Sequence, residues 1–205
     1  MTSPEAGDEA DIAQAESAHH RSKLDLAREF ILFAPSVIAP AIVGFVSVVV
    51  LTRLVDPAPF GRYSLALGVA TTVSSIAGDW LIPVAIHFRP RYADASEAEF
   101  TTTMARLGGL FAVFAAAVVA ALLIPAVSLR WTVAAAALAA AMMLSKTTGG
   151  VLRANLRTKR YSIASAIAAL IGLGLAIGAF LLTDEPSMLI WGTAVGTALV
   201  MGVAG

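Results

Sequence analysis

The chain has 205 residues, of which 58% are hydrophobic and 14% are charged, and its mean hydropathy is +0.81. Soluble domains carry about 25% charged residues, so this composition leaves too little polar surface for a water-soluble enzyme. Fourteen Lys and Arg residues balance fourteen Asp and Glu residues, and the net charge of zero argues against a nucleic-acid partner. The chain has no cysteine, which excludes disulfides and thiolate metal sites.

Residues 1–20 form an acidic segment with five Asp or Glu residues and no Lys or Arg. Because such a segment buries little apolar surface, it is predicted to be a disordered tail. Residues 21–29, RSKLDLARE, are typical of a short amphipathic lead-in at a membrane surface. The predicted organisation is therefore a tail and lead-in over 1–29 and a transmembrane helical domain over 30–205.

Long apolar runs separated by short polar gaps fill the rest of the chain. A hydrocarbon core about 30 Å thick requires about 20 helical residues to cross it. The sequence thus predicts an all-α, polytopic membrane bundle of about six transmembrane helices, over 30–52, 61–86, 104–125, 128–145, 161–183 and 187–205. The last run ends without a basic or aromatic anchor, and this predicts a truncated chain.

The basic residues are distributed unevenly between the two sides of this bundle. Eleven of the fourteen fall before span one or in or beside the loops after spans two and four, with Lys146 placed in the last of these loops. Cytoplasmic loops retain Lys and Arg, so the amino terminus is predicted to be cytoplasmic.

Span two carries a polar stripe. Gly68, Thr72, Ser75 and Asp79 recur at helical spacing, and Pro83 follows one turn later. Lipid offers these groups no hydrogen-bond partner, so they are expected to face other helices or a water-filled cavity. In one interpretation they line a cavity for a proton, a cation or a polar head group. In the other they form a packing face, with Asp79 bonded to a neighbouring helix or to interfacial water.

Two further features allow both a functional and a structural interpretation. Arg153, Arg157 and Arg160 fall at i, i+4 and i+7, which predicts a basic strip on an extension of span four. This strip would contact the phosphates of a lipid-linked substrate or anchor the chain on anionic head groups. Pro35 and Pro40 predict a bend in span one that serves gating or fits a curved neighbour.

Glycine pairs point to packing, and no set of residues points to catalysis. Gly174 with Gly178, and Gly192 with Gly196, form Gly-x-x-x-Gly steps that predict close helix packing. The three histidines show no ligand spacing with carboxylates, so no metal site is expected. No catalytic set can be assembled, and the prediction is a protein without enzymatic activity or cofactor.

Three segments carry a resemblance to a known family. Leu51–Ala66 (LTRLVDPAPFGRYSLA) is followed by Gly78–Leu81 (GDWL) and Arg89–Tyr92 (RPRY). This pattern resembles the Wzx-type polysaccharide flippases, the lipopolysaccharide biosynthesis proteins of the multidrug/oligosaccharidyl-lipid/polysaccharide exporter superfamily. The resemblance covers about residues 28–183.

The resemblance implies one amino-terminal lobe of a two-lobe flippase that works by alternating access in the plasma membrane. Its substrate would be a polyprenyl-pyrophosphate-linked saccharide, and the second lobe would come from another chain or from a homodimer. A wall of polar span-two residues would serve the sugar: Thr71, Thr72, Ser74, Ser75 and Asp79. Arg53 and Arg106, near span ends, would join Arg153 and Arg157 as candidate contacts for the substrate phosphates.

Two other classes of function remain open from the sequence. The chain is alternatively a non-transporting helical membrane remnant or a partner-binding lobe. It is alternatively a small proton- or ion-coupled carrier that is active as a dimer, with Asp79 as the coupling residue.

Overall fold

The structure is a computed structural model that describes residues 31, 34–35, 37–89 and 97–204. The predicted tail and lead-in, residues 1–29, lie outside the described residues. The described residues form helices and contain no strand, which confirms the prediction of an all-α bundle.

Seven helices are present in the described part of the chain. They are α1 (Val37–Leu54), α2 (Pro57–Gly78), α3 (Leu81–Phe88), α4 (Glu97–Leu123), α5 (Leu129–Ala154), α6 (Thr158–Thr183) and α7 (Met188–Ala204). Five spans are long and apolar enough to cross a membrane, with α2 and α3 together making one of 32 residues. Helix α7 is apolar and has 17 residues. The protein is therefore a multi-pass membrane protein.

The second span is interrupted, which differs from the continuous helix predicted over 61–86. Helix α2 ends at Gly78 and α3 begins at Leu81, so Asp79 and Trp80 lie in the break. Pro83 explains the position, because proline has no N–H to donate to the carbonyl four residues earlier, that of Asp79. The ring of Trp80 packs edge-on against Phe111 of α4, with the centroids 5.0 Å apart.

Helix α5 lies at the centre of the bundle and contacts α2, α3, α4, α6 and α7. In its most apolar 18-residue window, 61% of the residues are buried. The main core cluster forms where α5 meets its neighbours, and Leu138 and Met143 are fully buried there. Ser74 of α2 donates a hydrogen bond to the carbonyl of Ala139, 3.4 Å away, across the α2–α5 contact.

Helix α5 extends nine residues beyond the predicted end of span four at residue 145. Lys146 therefore lies inside a helix, and its placement in a loop was wrong. The polar run after Ser145 is a helix-packing surface, because Thr147, Thr148, Gly149 and Gly150 are all buried. Small residues at these positions let neighbouring helices approach the α5 backbone closely.

The α5–α6 turn separates the three arginines that were predicted to share one helix. Arg153 lies in the last turn of α5, Arg157 caps the start of α6, and Arg160 lies inside α6. Leu156 stands between them with a φ of 58°, the left-handed conformation that usually ends a helix at glycine. The N–H of Arg157 donates to the carbonyl of Leu152 at 2.7 Å, which closes this helix cap.

Two glycine pairs were predicted to pack helices, and only the pair in α7 packs the α6–α7 hairpin. A Cβ atom at Gly192 or Gly196 would overlap the α6 backbone at Ala176 or Gly172. Gly174 and Gly178 have open space where a Cβ atom would lie. The Gly-x-x-x-Gly step of α7 is therefore a packing surface, and the step of α6 faces away from the described helices.

Basic side chains concentrate at one end of the bundle. Helices α3 and α5 end there and α4 and α6 begin there, and the end carries Arg89, Arg153, Arg157, Lys159 and Arg160. We name it the basic end. Arg89 donates a hydrogen bond to the side-chain oxygen of Asn155 at 2.9 Å, which joins α3 to the end of α5. At the opposite end Arg130 forms an ion pair with Glu185 at 3.0 Å.

Candidate functional site

An open cavity with a mixed polar and apolar lining lies within the membrane-spanning part of the bundle. It has a volume of about 280 Å³ and is lined by residues of α1, α2, α5, α6 and α7. Seven of its lining residues have polar side chains: Thr71, Ser75, Ser145, Lys146, Tyr161, Ser165 and Thr197. We name it the hydroxyl-lined cavity. Its apolar lining consists of Pro40, Met142, Ala168, Ala169 and Met201.

The hydroxyl-lined cavity is in the half of the bundle nearest the basic end. Tyr161 is three residues from the start of α6. Lys146 is eight residues from the end of α5, or about 12 Å at the rise of an α-helix. Helix α5 is about 39 Å long by the same rise, so Lys146 lies inside the membrane-spanning part of the helix and not at its end.

An ion pair joins the break in the second span to α5. The ammonium group of Lys146 donates a hydrogen bond to the Oδ1 carboxylate oxygen of Asp79. The Lys146 side chain is 19% exposed and the Asp79 side chain is 62% exposed. Charges within a membrane span are costly unless paired or in contact with water, and this contact pairs two of them.

A stacked pair of side chains lies next to this ion pair along α5. The guanidinium carbon of Arg153 is 4.4 Å from the ring centroid of Tyr161, which lines the cavity. The ring lies against α5 at Gly149, where any Cβ atom would contact it. Lys146, Gly149 and Arg153 recur at helical spacing, so the Tyr161 ring packs on the face of α5 that carries both cations.

The structure separates the polar residues that were predicted to form one wall of span two. Ser75 lines the hydroxyl-lined cavity together with Thr71, and Asp79 reaches the cavity through its contact with Lys146. Thr72 lies outside it, in a groove shared with Gly68 and Leu122. The Ser74 hydroxyl is buried in the α2–α5 contact.

The four candidate phosphate contacts are also separated. Arg153 reaches the cavity through Tyr161. Arg53 is exposed in the last turn of α1, at the end of the bundle opposite the basic end. Arg106 is exposed on α4, and Arg157 is exposed at the start of α6. The structure therefore brings one of the four into contact with a cavity-lining residue.

Lys146 is one of five polar lining residues that reasoning from sequence missed, and it is the charged one; the others are Ser145, Tyr161, Ser165 and Thr197. The hydropathy of the chain falls at Ser145–Gly150, and the fall was interpreted as a loop. A signal was nevertheless present: the apolar pair Val151 and Leu152 follows the polar run, and both residues are buried in the continuing helix. A helix through residue 154 would have placed Lys146 and Arg153 on one face.

Comparison with known proteins gives no relative for this chain. No protein-family model, no curated protein and no solved structure matches it. The geometry of the cavity and its charges is therefore the basis for assigning a function.

Proposed function

We propose that this protein transports a polyprenyl-pyrophosphate-linked saccharide across the plasma membrane, as a flippase in polysaccharide biosynthesis. The observation that carries the proposal is the hydroxyl-lined cavity, which places seven polar side chains at membrane depth. A sugar that enters hydrocarbon unaided loses the hydrogen bonds of many hydroxyl groups at once. Serine, threonine and tyrosine hydroxyls supply replacement donors and acceptors for such a head group.

The lining of the cavity also suits an amphipathic cargo. Methionine, alanine and proline side chains stand beside the hydroxyls in its lining, so polar and apolar surfaces meet in one site. A lipid-linked saccharide presents the same two surfaces, a polar head and a hydrocarbon chain. The sequence resemblance supports the same cargo: its first segment, Leu51–Ala66, spans the α1–α2 turn, and its second, Gly78–Leu81, spans the break after α2.

The proposed orientation places the basic end in the cytoplasm, and with it the amino terminus. Five Lys or Arg residues of the described chain cluster at that end, and cytoplasmic loops retain such residues. The hydroxyl-lined cavity then lies in the cytoplasmic half of the membrane, next to the leaflet in which the cargo would start. We propose that a second lobe, supplied by another chain or by a second copy of this one, completes the transport path.

The proposal is tested in vesicles that contain the purified protein and a polyprenyl-pyrophosphate-linked disaccharide. A membrane-impermeant oxidant that attacks sugars reports how much of the lipid is in the outer leaflet. We expect the protein to raise the oxidised fraction from about half to nearly all, because protected lipid is continuously brought outward. Equal oxidation with and without the protein would contradict the proposal and favour a non-transporting helical protein.

The Asp79–Lys146 ion pair favours a second candidate, a proton- or ion-coupled carrier active as a dimer. An acidic residue paired at membrane depth is a typical feature of coupling sites. The Asp79→Asn variant in reconstituted vesicles tests this candidate, with Asp184→Asn at the opposite end of the bundle as the control. Coupling through Asp79 predicts that only the first variant loses the dependence of uptake on an ion gradient. Unchanged uptake in both variants would exclude Asp79 as the coupling residue.

A further inference from the structure

A pocket with charged and apolar walls lies at the end of the bundle opposite the basic end. It has a volume of about 610 Å³ and is formed by the beginnings of α5 and α7 and by the turn that joins α6 to α7. Arg130, Glu185 and Ser187 belong to its polar lining, and Val133 and Trp191 belong to its apolar lining. We name it the α5–α7 pocket. The described residues that line it do not line the hydroxyl-lined cavity, so the two are separate.

The α5–α7 pocket carries one charge of each sign, and the two charges lie side by side. An Nη1 N–H of Arg130 donates to Oε2 of Glu185 at 3.0 Å, and the Ser187 hydroxyl donates to Oε1 of Glu185 at 3.2 Å. A guanidinium has several N–H donors and each carboxylate oxygen has more than one lone pair, so these contacts use only part of what the two groups offer. The Arg130 side chain is 78% exposed and the Glu185 side chain is 34% exposed, so a ligand can reach both.

The charged and apolar walls follow one another along the helices. Glu185 and Ser187 precede α7 and Arg130 is the second residue of α5, so the charges lie where these helices begin. Val133 and Trp191 lie about one helical turn farther along, or about 5 Å by the rise of an α-helix. Val133 is exposed on a membrane-spanning helix, and tryptophan is typical of the boundary between head groups and acyl chains. The pocket therefore suits an amphipathic ligand at the membrane boundary.

The two charges restrict the chemical class of that ligand. Arg130 repels a lone cation and Glu185 repels a lone anion, whereas a head group with both charges can lie alongside the ion pair with each charge next to its opposite. Phosphoethanolamine has this form, because its phosphate accepts N–H bonds from a guanidinium and its ammonium group donates to a carboxylate. The apolar wall at Val133 and Trp191 then contacts the hydrocarbon of the same lipid.

We propose that the α5–α7 pocket binds a phosphatidylethanolamine from the leaflet on this side of the membrane, with its phosphate on Arg130 and its ammonium group on Glu185. The ion pair stays intact, and each of its charges gains a second partner. The bound head group joins the beginning of α5 to the turn before α7. This inference goes beyond the proposed transport and does not depend on it, because no residue of the hydroxyl-lined cavity takes part.

Native mass spectrometry of the detergent-purified protein measures the binding. The ligands are phosphatidylethanolamine, phosphatidylcholine and phosphatidylglycerol, all with the same two oleoyl chains. Phosphatidylethanolamine is expected to bind about fivefold more tightly than the other two, because choline has no N–H to donate and glycerol has no positive charge. Equal or tighter binding of either competitor would overturn the proposal. Soluble glycerophosphoethanolamine that binds as tightly as the lipid would overturn the assignment to a membrane lipid.

Two variants connect this preference to the ion pair. Glu185→Gln keeps the shape of the side chain and removes its charge, so the preference over phosphatidylglycerol is expected to fall below about twofold. Arg130→Gln is expected to weaken the binding of phosphatidylethanolamine by about threefold, because a charged hydrogen bond to the phosphate is lost. The control Arg53→Gln removes an exposed arginine at the same end of the bundle and should leave the affinity within about twofold. An equal loss in the control, or a preference that persists in Glu185→Gln, would overturn the proposal.

The double variant Arg130→Gln/Glu185→Gln separates lipid binding from folding. Its melting temperature in detergent without lipid should stay close to that of the wild type, because exposed ion pairs contribute little. Added phosphatidylethanolamine should raise the melting temperature of the wild type and not that of the double variant, since a ligand stabilises the state that binds it. An equal rise in both proteins would overturn the proposal. Lipid binding as expected, together with no oxidation of protected lipid-linked sugar, would leave this site standing and reject the flippase.

Discussion

Helices α5 and α1 both span the membrane, but α5 is largely buried by neighbouring helices and α1 is largely exposed. In their most apolar 18-residue windows, 61% of the α5 residues are buried by protein and 6% of the α1 residues are. The mean hydropathy of the same windows is 1.3 for α5 and 2.2 for α1. The helix in the centre is therefore the less apolar one, the reverse of what a water-soluble protein shows.

The two most buried spans are the two least apolar ones, whereas α4 and α6 are at least as apolar as α1 although more of each is buried. The α2–α3 span has a mean hydropathy of 1.4 with 33% buried, and α4 and α6 have 2.2 and 2.4 with 22% buried in each. Lipid favours apolar side chains on the outside, whereas helix contacts inside include small and hydroxyl-bearing residues beside the buried leucine and methionine side chains. Low hydropathy within a long helix thus marks the interior of this protein.

The largest expected effect comes from removing a large side chain of α5. Leu138 is fully buried, so Leu138→Ala should lower the free energy of unfolding by about 2–5 kcal/mol because it leaves a cavity. The matched change in α1 is Phe45→Ala, where a side chain 73% exposed is replaced and lipid fills the space. This control should change stability by less than about 0.5 kcal/mol. Unfolding in mixed detergent micelles measures both, and equal losses would break the comparison.

Replacing one glycine in each helix sharpens the comparison between α5 and α1 further. A Cβ atom at Gly150 of α5 would meet the Ala85 Cβ at 3.3 Å and the Leu81 carbonyl oxygen at 3.4 Å, so a larger side chain has no room. Gly150→Leu should destabilise the protein by about 1–3 kcal/mol through overpacking.

Gly44 of α1 is the control for this change, because a Cβ atom added there would have no neighbour within 4 Å. Gly44→Leu should be neutral or slightly stabilising, since leucine has the higher helix propensity. Unfolding in the same mixed micelles ranks the two variants, and a tolerated Gly150→Leu would show that α3 does not pack against α5 as described.

The smallest effect is expected at the exposed beginning of α5. Arg130, whose side chain is 78% exposed, forms an ion pair with Glu185. Arg130→Gln should cost less than about 1 kcal/mol, because exposed ion pairs contribute little. Arg53→Gln at the end of α1 is the control at the same end of the bundle. A loss above about 2 kcal/mol for Arg130→Gln would mean that the turn before α7 depends on this contact.

The fold was predictable from sequence because the lipid-facing helices are strongly apolar and their turns are polar. Prediction failed where the interior interrupts that pattern. The buried run Thr147–Gly150 has the composition of a loop, and only its contacts with neighbouring helices show why a helix tolerates it. The polar stripe of span two led to Ser75 and Asp79, whereas the assignment of Thr72 required knowing how α2 is rotated. Lys146 was missed because span four was predicted to end at residue 145, nine residues before α5 ends.

The leucine at the α5–α6 turn has a consequence for the depth of the protein in the bilayer. Leu156 adopts the left-handed conformation at a cost of about 1–2 kcal/mol, and its side chain is 90% exposed. In water, neither the left-handed backbone nor the exposed leucine side chain would stabilise the fold. If this turn lies at the boundary between head groups and acyl chains, burial of the isobutyl group in hydrocarbon would contribute about 1.5–3 kcal/mol, enough to offset the strained backbone. Sliding outward by a single turn would then move this side chain in among the phosphates.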